Sequence, residues 1–340
     1  MTSKEIISRI IGHNEPPRFG MDFKNDNPCD FRGSSVFNFL YPYDKKLAEW
    51  GYHAELLQKL NNFTGEVRLN EFGDIFGRLR GETAGECVKG CFEDGWDIVN
   101  DYNFPDFDPE FDIKVLSYDF RRNENYTVGF IPFGVFSRFR DARRLENALA
   151  DTLLEPGYVK LLMQMELKLM LAAVRKAAYL GFDSVMFCDD FGTQQALLLS
   201  PEVFRNLFKP VYAAFAGEAH ALGLKVIMHS CGMIYEIIPD LIEAGIDVLQ
   251  LDQPELYGAE VLAKEFGNKT VFYSPVDIQK IMPTGDRNTI EAGALHMMDC
   301  FRKHCGGGLI IKDYGNWQDI HVTEEWAQWA RDVVAANAEI

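Results

Sequence analysis

The chain is short of positive charge. Its 34 lysines and arginines face 51 aspartates and glutamates, giving a formal net charge of −17 and a sequence pI of about 4.9. Nucleic acids and anionic membrane surfaces are bound by clustered Lys and Arg, so neither is an expected partner. No apolar run reaches the ~18 residues of a membrane span. The first residues, MTSKEIISRI, lack the apolar core of a secretory signal. The cysteines, at 29, 87, 91, 188, 231, 300 and 305, are odd in number and fall at no spacing typical of a secreted disulfide framework. A reduced, cytoplasmic protein is expected. A G-x-G-x-x-G turn after the first strand is missing too, as are an internal repeat and a low-complexity tail.

What is present is an ordinary globular composition, 47% hydrophobic and 25% charged, in 340 residues. That length gives a large core and suits two domains or one α/β barrel. From residue 158 onward helices and strands alternate. Helical spacing runs through 158–181, 200–223, 233–245, 257–267, 287–305 and 323–338. Ser200 and Pro201 open the second of these as N-cap and first helical residue, and Gly181 and Gly223 close the first two. Short apolar runs at 183–190, 225–230, 247–252, 269–274 and 307–313 read as buried strands, and further strands fit at 18–23, 67–72 and 127–134. Eight strands joined by crossover helices close most economically as one (β/α)8 TIM barrel spanning 1–340. A doubly wound open sheet is the alternative, disfavoured by the missing glycine fingerprint. Stretches 24–66 and 73–126 break the rhythm, and DYNFPDFDPEFD (101–112) reads as a loop. Residues 24–126 are therefore read as containing loop and helix insertions that cover the barrel mouth.

Barrel chemistry sits at the C-terminal ends of the strands. There the sequence places Glu71, Asp189, Asp190, His229, Cys231, Gln250, Asp252, Ser274, Asp277, Lys312, Asp313 and Tyr314. Burying so many polar groups is costly unless they are paired, metal-bound or functional. LKVIMHSCGMI (224–234) is the most informative stretch. His229 and Cys231 are two residues apart on a strand, so they project to one side. Imidazole and thiolate are both good zinc ligands; the plain alternative is a hydrogen-bonded histidine beside an inert thiol. Asp190, Asp252 and Glu71 lie at the correct end to complete a metal shell, whereas Cys300 and Cys305 lie at the opposite end. In CDDFGTQQALLLSPE (188–202) a tight turn presents Asp190 and Gln194 to a cavity, and capping accounts for one of the two aspartates more easily than both. Ser274 and Asp277 follow a strand in YSPVD, where a proline turn is the plain alternative. Lys312 alternates to the other face from Asp313, so the two need not pair.

These residues carry a resemblance. SPEVFRNLFKPVYAAFAGEAHALGLKVIMHSCGMI, the preceding DDFGTQ and the following LIEAGIDVLQLDQ resemble the uroporphyrinogen decarboxylase superfamily. The likeness extends to NEFGDIFGRL (70–79), FPDFDPEF and RLENALAD (144–151). It implies a (β/α)8 barrel and one of two activities. True decarboxylases remove acetate carboxyls from a tetrapyrrole without a cofactor and hold them with N-terminal arginines; the matching EPPRFGMDFKND has one, Arg18. The other branch comprises cobalamin-dependent methyltransferases, in which the His-x-Cys motif supplies two zinc ligands. Thiol-methylating members add a Cys shortly after the last strand, close to where this chain has Tyr314. The resemblance thus implies a zinc-dependent methyltransferase of O-demethylase type, moving a methyl group from a small donor such as an aryl methyl ether to a corrinoid protein. His229, Cys231 and Asp190 are then the metal ligands, and Asp190, Tyr314 and His229 the catalytic groups. Glu71, Gln194, Asp252, Ser274 and Asp277 would surround the substrate. The alternative is metal-free decarboxylation of a small or tetrapyrrole acid. The expected partners are a small-molecule methyl donor, a corrinoid-carrying protein and a second copy of the chain in a homodimer.

Overall fold

The computed structural model describes residues 1–79 and 85–340. Its strands are β1 Gly20–Asp22, β2 Phe31–Ser35, β3 Glu66–Leu69, β4 Ile75–Arg78, β5 Glu86–Lys89, β6 Tyr126–Phe130, β7 Ser184–Cys188, β8 Lys225–His229, β9 Val248–Gln250, β10 Val271–Ser274 and β11 Leu309–Lys312. Eight of them form one sheet in the order β1-β11-β10-β9-β8-β7-β6-β2, parallel at every pairing. The two ends of that order nearly close the barrel. Asp30 N–H donates to the Met21 carbonyl at 2.7 Å, and the Asp30 carboxylate accepts from Met21 N–H at 2.9 Å. The fold is a (β/α)8 TIM barrel, as the alternation of elements predicts.

One strand assignment is corrected. Residues 67–72 do not belong to the barrel: β3 lies in a separate antiparallel sheet, β3-β4-β5, with its own small core of Leu56, Val67 and Ile75. The missing barrel strand is β2, inside the stretch read as an insertion. Its sequence, FRGSS, has one large apolar residue and so lacks a strand signature. Gly33 is there because the Phe130 ring lies across it, 2.2 Å from where a Cβ would sit. Two smaller differences have local causes. The expected helix 200–223 is interrupted by a π turn at Phe204–Phe208, ahead of Pro210, which has no N–H to continue the ladder. The loop at 101–112 becomes helical at Pro109, a favoured first helical residue.

Period-two alternation decides which side chains enter the barrel. Phe31, Tyr126, Val128, Ile227, Val248, Val271, Tyr273 and Ile310 fill the interior. The N-terminal end is plugged by the helix Ser3–Ile11, which buries Ile6, Ile7, Ile10 and Ile11 and is started by a Thr2–Glu5 capping box. Phe187, Met228, Leu249, Phe272 and Ile311 point the other way, into the core between barrel and helices. The same parity, carried to the strand ends, turns Asp22, Phe130, Cys188, His229, Gln250 and Lys312 towards the mouth. It turns Asp189, Ser274 and Asp313 away.

Candidate metal centre

The loops that follow β7 and β8 are locked back to back. A Cβ at Gly192 would lie 2.5 Å from Met233 N, and one at Gly232, whose φ is +76°, 2.3 Å from the Gly192 carbonyl oxygen. Only glycine combines that φ with so close an approach. Met233 N–H donates to the Thr193 carbonyl at 2.7 Å, Phe191 N–H to Ser230 Oγ at 3.3 Å and Gly232 N–H to Gln253 Oε1 at 3.0 Å. The lock sets Asp190 beside the His-x-Cys motif, where its Oδ1 accepts from Cys231 N–H at 2.8 Å. That oxygen is 3.4 Å from His229 Nε2, and Cys231 Sγ is 3.2 Å from the same nitrogen. The three potential ligand atoms lie within 4.8 Å of one another.

A second layer orients the imidazole. His229 Nδ1 is 2.5 Å from Gln250 Oε1, Gln250 Nε2 donates to Asp252 Oδ1 at 2.6 Å, and Lys312 Nζ reaches the same oxygen at 3.0 Å. A carboxylate only accepts, so the amide turns its NH2 to Asp252 and its oxygen to His229. Nδ1 therefore carries the proton and Nε2 keeps a free lone pair facing the cluster. Gln250→Leu removes that hold. Zinc binding should weaken about 10- to 100-fold with an unchanged far-UV spectrum, checked by competition against a chromophoric chelator; equal affinity would refute the orienting role.

Burial, then the charges of Asp190 and Asp252, push the Cys231 thiol far above its usual range. A nearby divalent cation reverses that balance by stabilising the thiolate. Tyr314 is partly buried, its ring 5.9 Å from that of Trp317, and burial followed by the charges of Asp252 and Cys231 holds its hydroxyl above the ordinary value.

The other expected site residues are not among the three clustered ligands. Asp189 is the capping aspartate of the pair: it accepts from Phe136 N–H at 3.2 Å and Ser137 N–H at 2.6 Å at the start of helix Val135–Arg143, and from Tyr212 Oη at 2.6 Å. Burial raises its carboxyl to about 6 against those hydrogen bonds. Asp277 is taken up by the backbone N–H groups of Glu255, Gln279 and Lys280. Asp313 is held by Arg331 and Lys24 N–H. Ser274 is buried on the outward parity, and Gln194 is exposed on the loop after β7. Glu71 sits in the β3–β4 turn, where Arg138, Arg68 and Asp74 act on it, so its expected place at a barrel strand end is corrected along with that strand. Arg18 precedes β1 at the plugged end, bonded through both terminal nitrogens to Asp30 at 2.7 and 2.8 Å. Sequence reasoning passed over Cys188, and over Asp22, which accepts from the Tyr273 hydroxyl. The alternation that singled out His229 and Cys231 would have found both. A cavity of about 620 Å3 lined by Arg140, Asp141, Arg144 and Glu146 among others shares no lining residue with this cluster.

The uroporphyrinogen decarboxylase (URO-D) family pattern matches residues 127–311, more than half of the chain, and the chain belongs to that family. Among solved structures, a methyltransferase from Methanosarcina mazei is similar over 98% of both chains, with a TM-score of 0.62 at 11% sequence identity; the two share a fold. The IOLI protein with a binding zinc atom is 15% identical over 50% of this chain and 67% of that one, with a TM-score of 0.33. A D-psicose 3-epimerase is 12% identical over 70% and 84%, with a TM-score of 0.36. Overlaps of that size carry no argument about the site. No curated protein matches the chain. No helix among the described residues is long and apolar enough to cross a membrane.

Proposed function

We propose that the chain is a zinc-dependent methyltransferase that moves a methyl group from a small methylated donor, in kind an aryl methyl ether, to a corrinoid protein. The observation that carries this reading is the convergence of His229 Nε2, Cys231 Sγ and an Asp190 oxygen within 4.8 Å. A nitrogen, a sulfur and an oxygen, with the imidazole tautomer already set by Gln250, fit zinc. Bound by these residues, zinc would supply Lewis acidity towards the donor's oxygen, and the partner's corrinoid the methyl acceptor.

The remaining residues suit that donor. Phe130 is exposed at the inward end of β6 and offers an aromatic ring in the mouth. Tyr314 keeps its proton at neutral pH and can donate it to the leaving oxygen. At these strand ends Lys312 is tethered by Asp252, and Lys24, just after β1, is turned to the Tyr314 and Gly315 carbonyls. A polycarboxylate would need several free cations, and Arg18 is committed to Asp30 at the far end of the barrel.

The test supplies zinc-loaded protein with a reduced corrinoid protein and a methylated phenol. Expected are the absorbance of the methylated corrinoid and one phenol released per methyl moved. Decarboxylation of a small acid by chelator-treated protein, with no methyl transfer, would overturn the proposal in favour of the decarboxylase reading.

A further inference from the structure

The metal shell that spacing suggests is one sulfur short of the pattern implied by the resemblance, and the position after the last strand holds a tyrosine. The barrel provides another thiol. Cys188 is the last residue of β7 and pairs in register with His229 on β8. Neighbouring strands lie about 4.8 Å apart, and paired residues of equal parity project to one side. Val185 and Phe187 face the outer core and Met186 the barrel interior, which turns Cys188 inward with His229. Each strand thus ends in a pair of ligand-type residues two apart: Cys188 with Asp190, His229 with Cys231.

The surroundings agree with that placement. The Cys188 side chain is exposed although its strand is buried, as expected of a residue opening into the mouth. In the present rotamer Cys188 Sγ is not among the atoms clustered within 4.8 Å. A Cys side chain has one rotatable bond before sulfur, so a change of χ1 redirects Sγ without moving the backbone.

We propose that Cys188 completes the resting shell, so that zinc would be held by His229, Cys231, Cys188 and Asp190, with the Asp190 carboxylate the ligand that would give up its place to the donor's oxygen. This rests on the metal reading above and goes beyond it in naming the ligand set. With two thiolates in the shell, more of the stabilisation of the leaving oxygen falls to the Tyr314 proton.

X-ray absorption at the zinc edge of the loaded full chain counts sulfurs directly, and cobalt substitution gives a second readout through thiolate-to-metal charge-transfer intensity. Wild type should show two sulfurs at about 2.3 Å. Cys188→Ser should show one sulfur, about half the charge-transfer intensity, and an affinity about 100-fold lower. Cys188 is exposed, so the variant should melt with the wild type, and Cys300→Ser, in helix Arg287–Cys305, should change no sulfur count. One sulfur in wild type, unaltered by Cys188→Ser, overturns this ligand assignment and leaves the metal reading standing. Failure of the wild type to take up zinc or cobalt overturns both.

Discussion

Replacing His229 by alanine should empty the metal site while leaving the barrel standing. The side chain contributes Nε2 to the cluster, and among the described residues its other nitrogen is bonded only to Gln250. Structural zinc sites bind with apparent free energies of roughly 10–16 kcal/mol, so one ligand of three or four is worth about 3–4 kcal/mol. That is a loss of about two to three orders of magnitude in affinity. The imidazole is 13% exposed at the edge of the mouth, and its removal leaves Gln250 still bonded to Asp252, so the cost in folding should stay near 1 kcal/mol. Plasma mass spectrometry after dialysis against a weak chelator should find about one zinc per wild-type chain, and almost none in His229→Ala. Asp277→Asn, whose carboxylate serves only backbone N–H groups among the described contacts, those of Gln279 and Lys280 in its own loop and of Glu255 after β9, should keep its zinc. Equal zinc in wild type and His229→Ala would remove the histidine from the shell and, with it, the ground for the methyltransferase reading.

The sequence displays this centre better than it displays the fold around it. β8 is an apolar run ending in His-Ser-Cys, and its alternation alone puts both ligands on one side. The two aspartates after β7 divide by the same rule: Asp189 turns outward to cap a helix and Asp190 turns inward to the cluster. Cys188 is easily passed over although the alternation reaches it, because it ends the apolar run VMFC, where cysteine passes for a small hydrophobe. β2 could not be read because glycine and serine replace the large residues of a strand where Phe130 covers it. β3 could be read as a strand, but nothing local distinguishes a strand of an antiparallel sheet from one of a barrel. The relay from Lys312 through Asp252 and Gln250 joins residues on β11, on β9 and just after it, and on β8. It exists only once the barrel brings those strand ends together.

The largest effect on stability should come from Asp74→Ala. Asp74 is fully buried and accepts from Arg138 Nη1 at 2.6 Å, Cys91 N–H at 2.9 Å and Asn70 Nδ2 at 2.9 Å, tying the antiparallel sheet to helix Val135–Arg143. Arg138 is 3% exposed and its Nε has no partner among the described residues. Without Asp74 the guanidinium is an uncompensated buried charge, which costs about 3–5 kcal/mol and should appear as a lower urea midpoint at unchanged slope. Glu166 modifies the outcome. It is fully buried, neither carboxyl oxygen has a partner among the described residues, and burial raises its pKa well above the usual range although Arg138 opposes the shift. In the folded wild type it binds its proton more tightly than in the unfolded chain. Its contribution therefore falls as pH rises from the unfolded carboxyl value towards the raised folded one. Glu166→Gln alone should be neutral or mildly stabilising at pH 7 and should flatten that dependence. In the Asp74→Ala background the same carboxyl can ionise against the abandoned Arg138. Adding Glu166→Gln there should then cost a further ~1–2 kcal/mol, a non-additivity typical of groups in one network. Additive urea midpoints across the four proteins would show instead that Glu166 and Arg138 do not respond to each other.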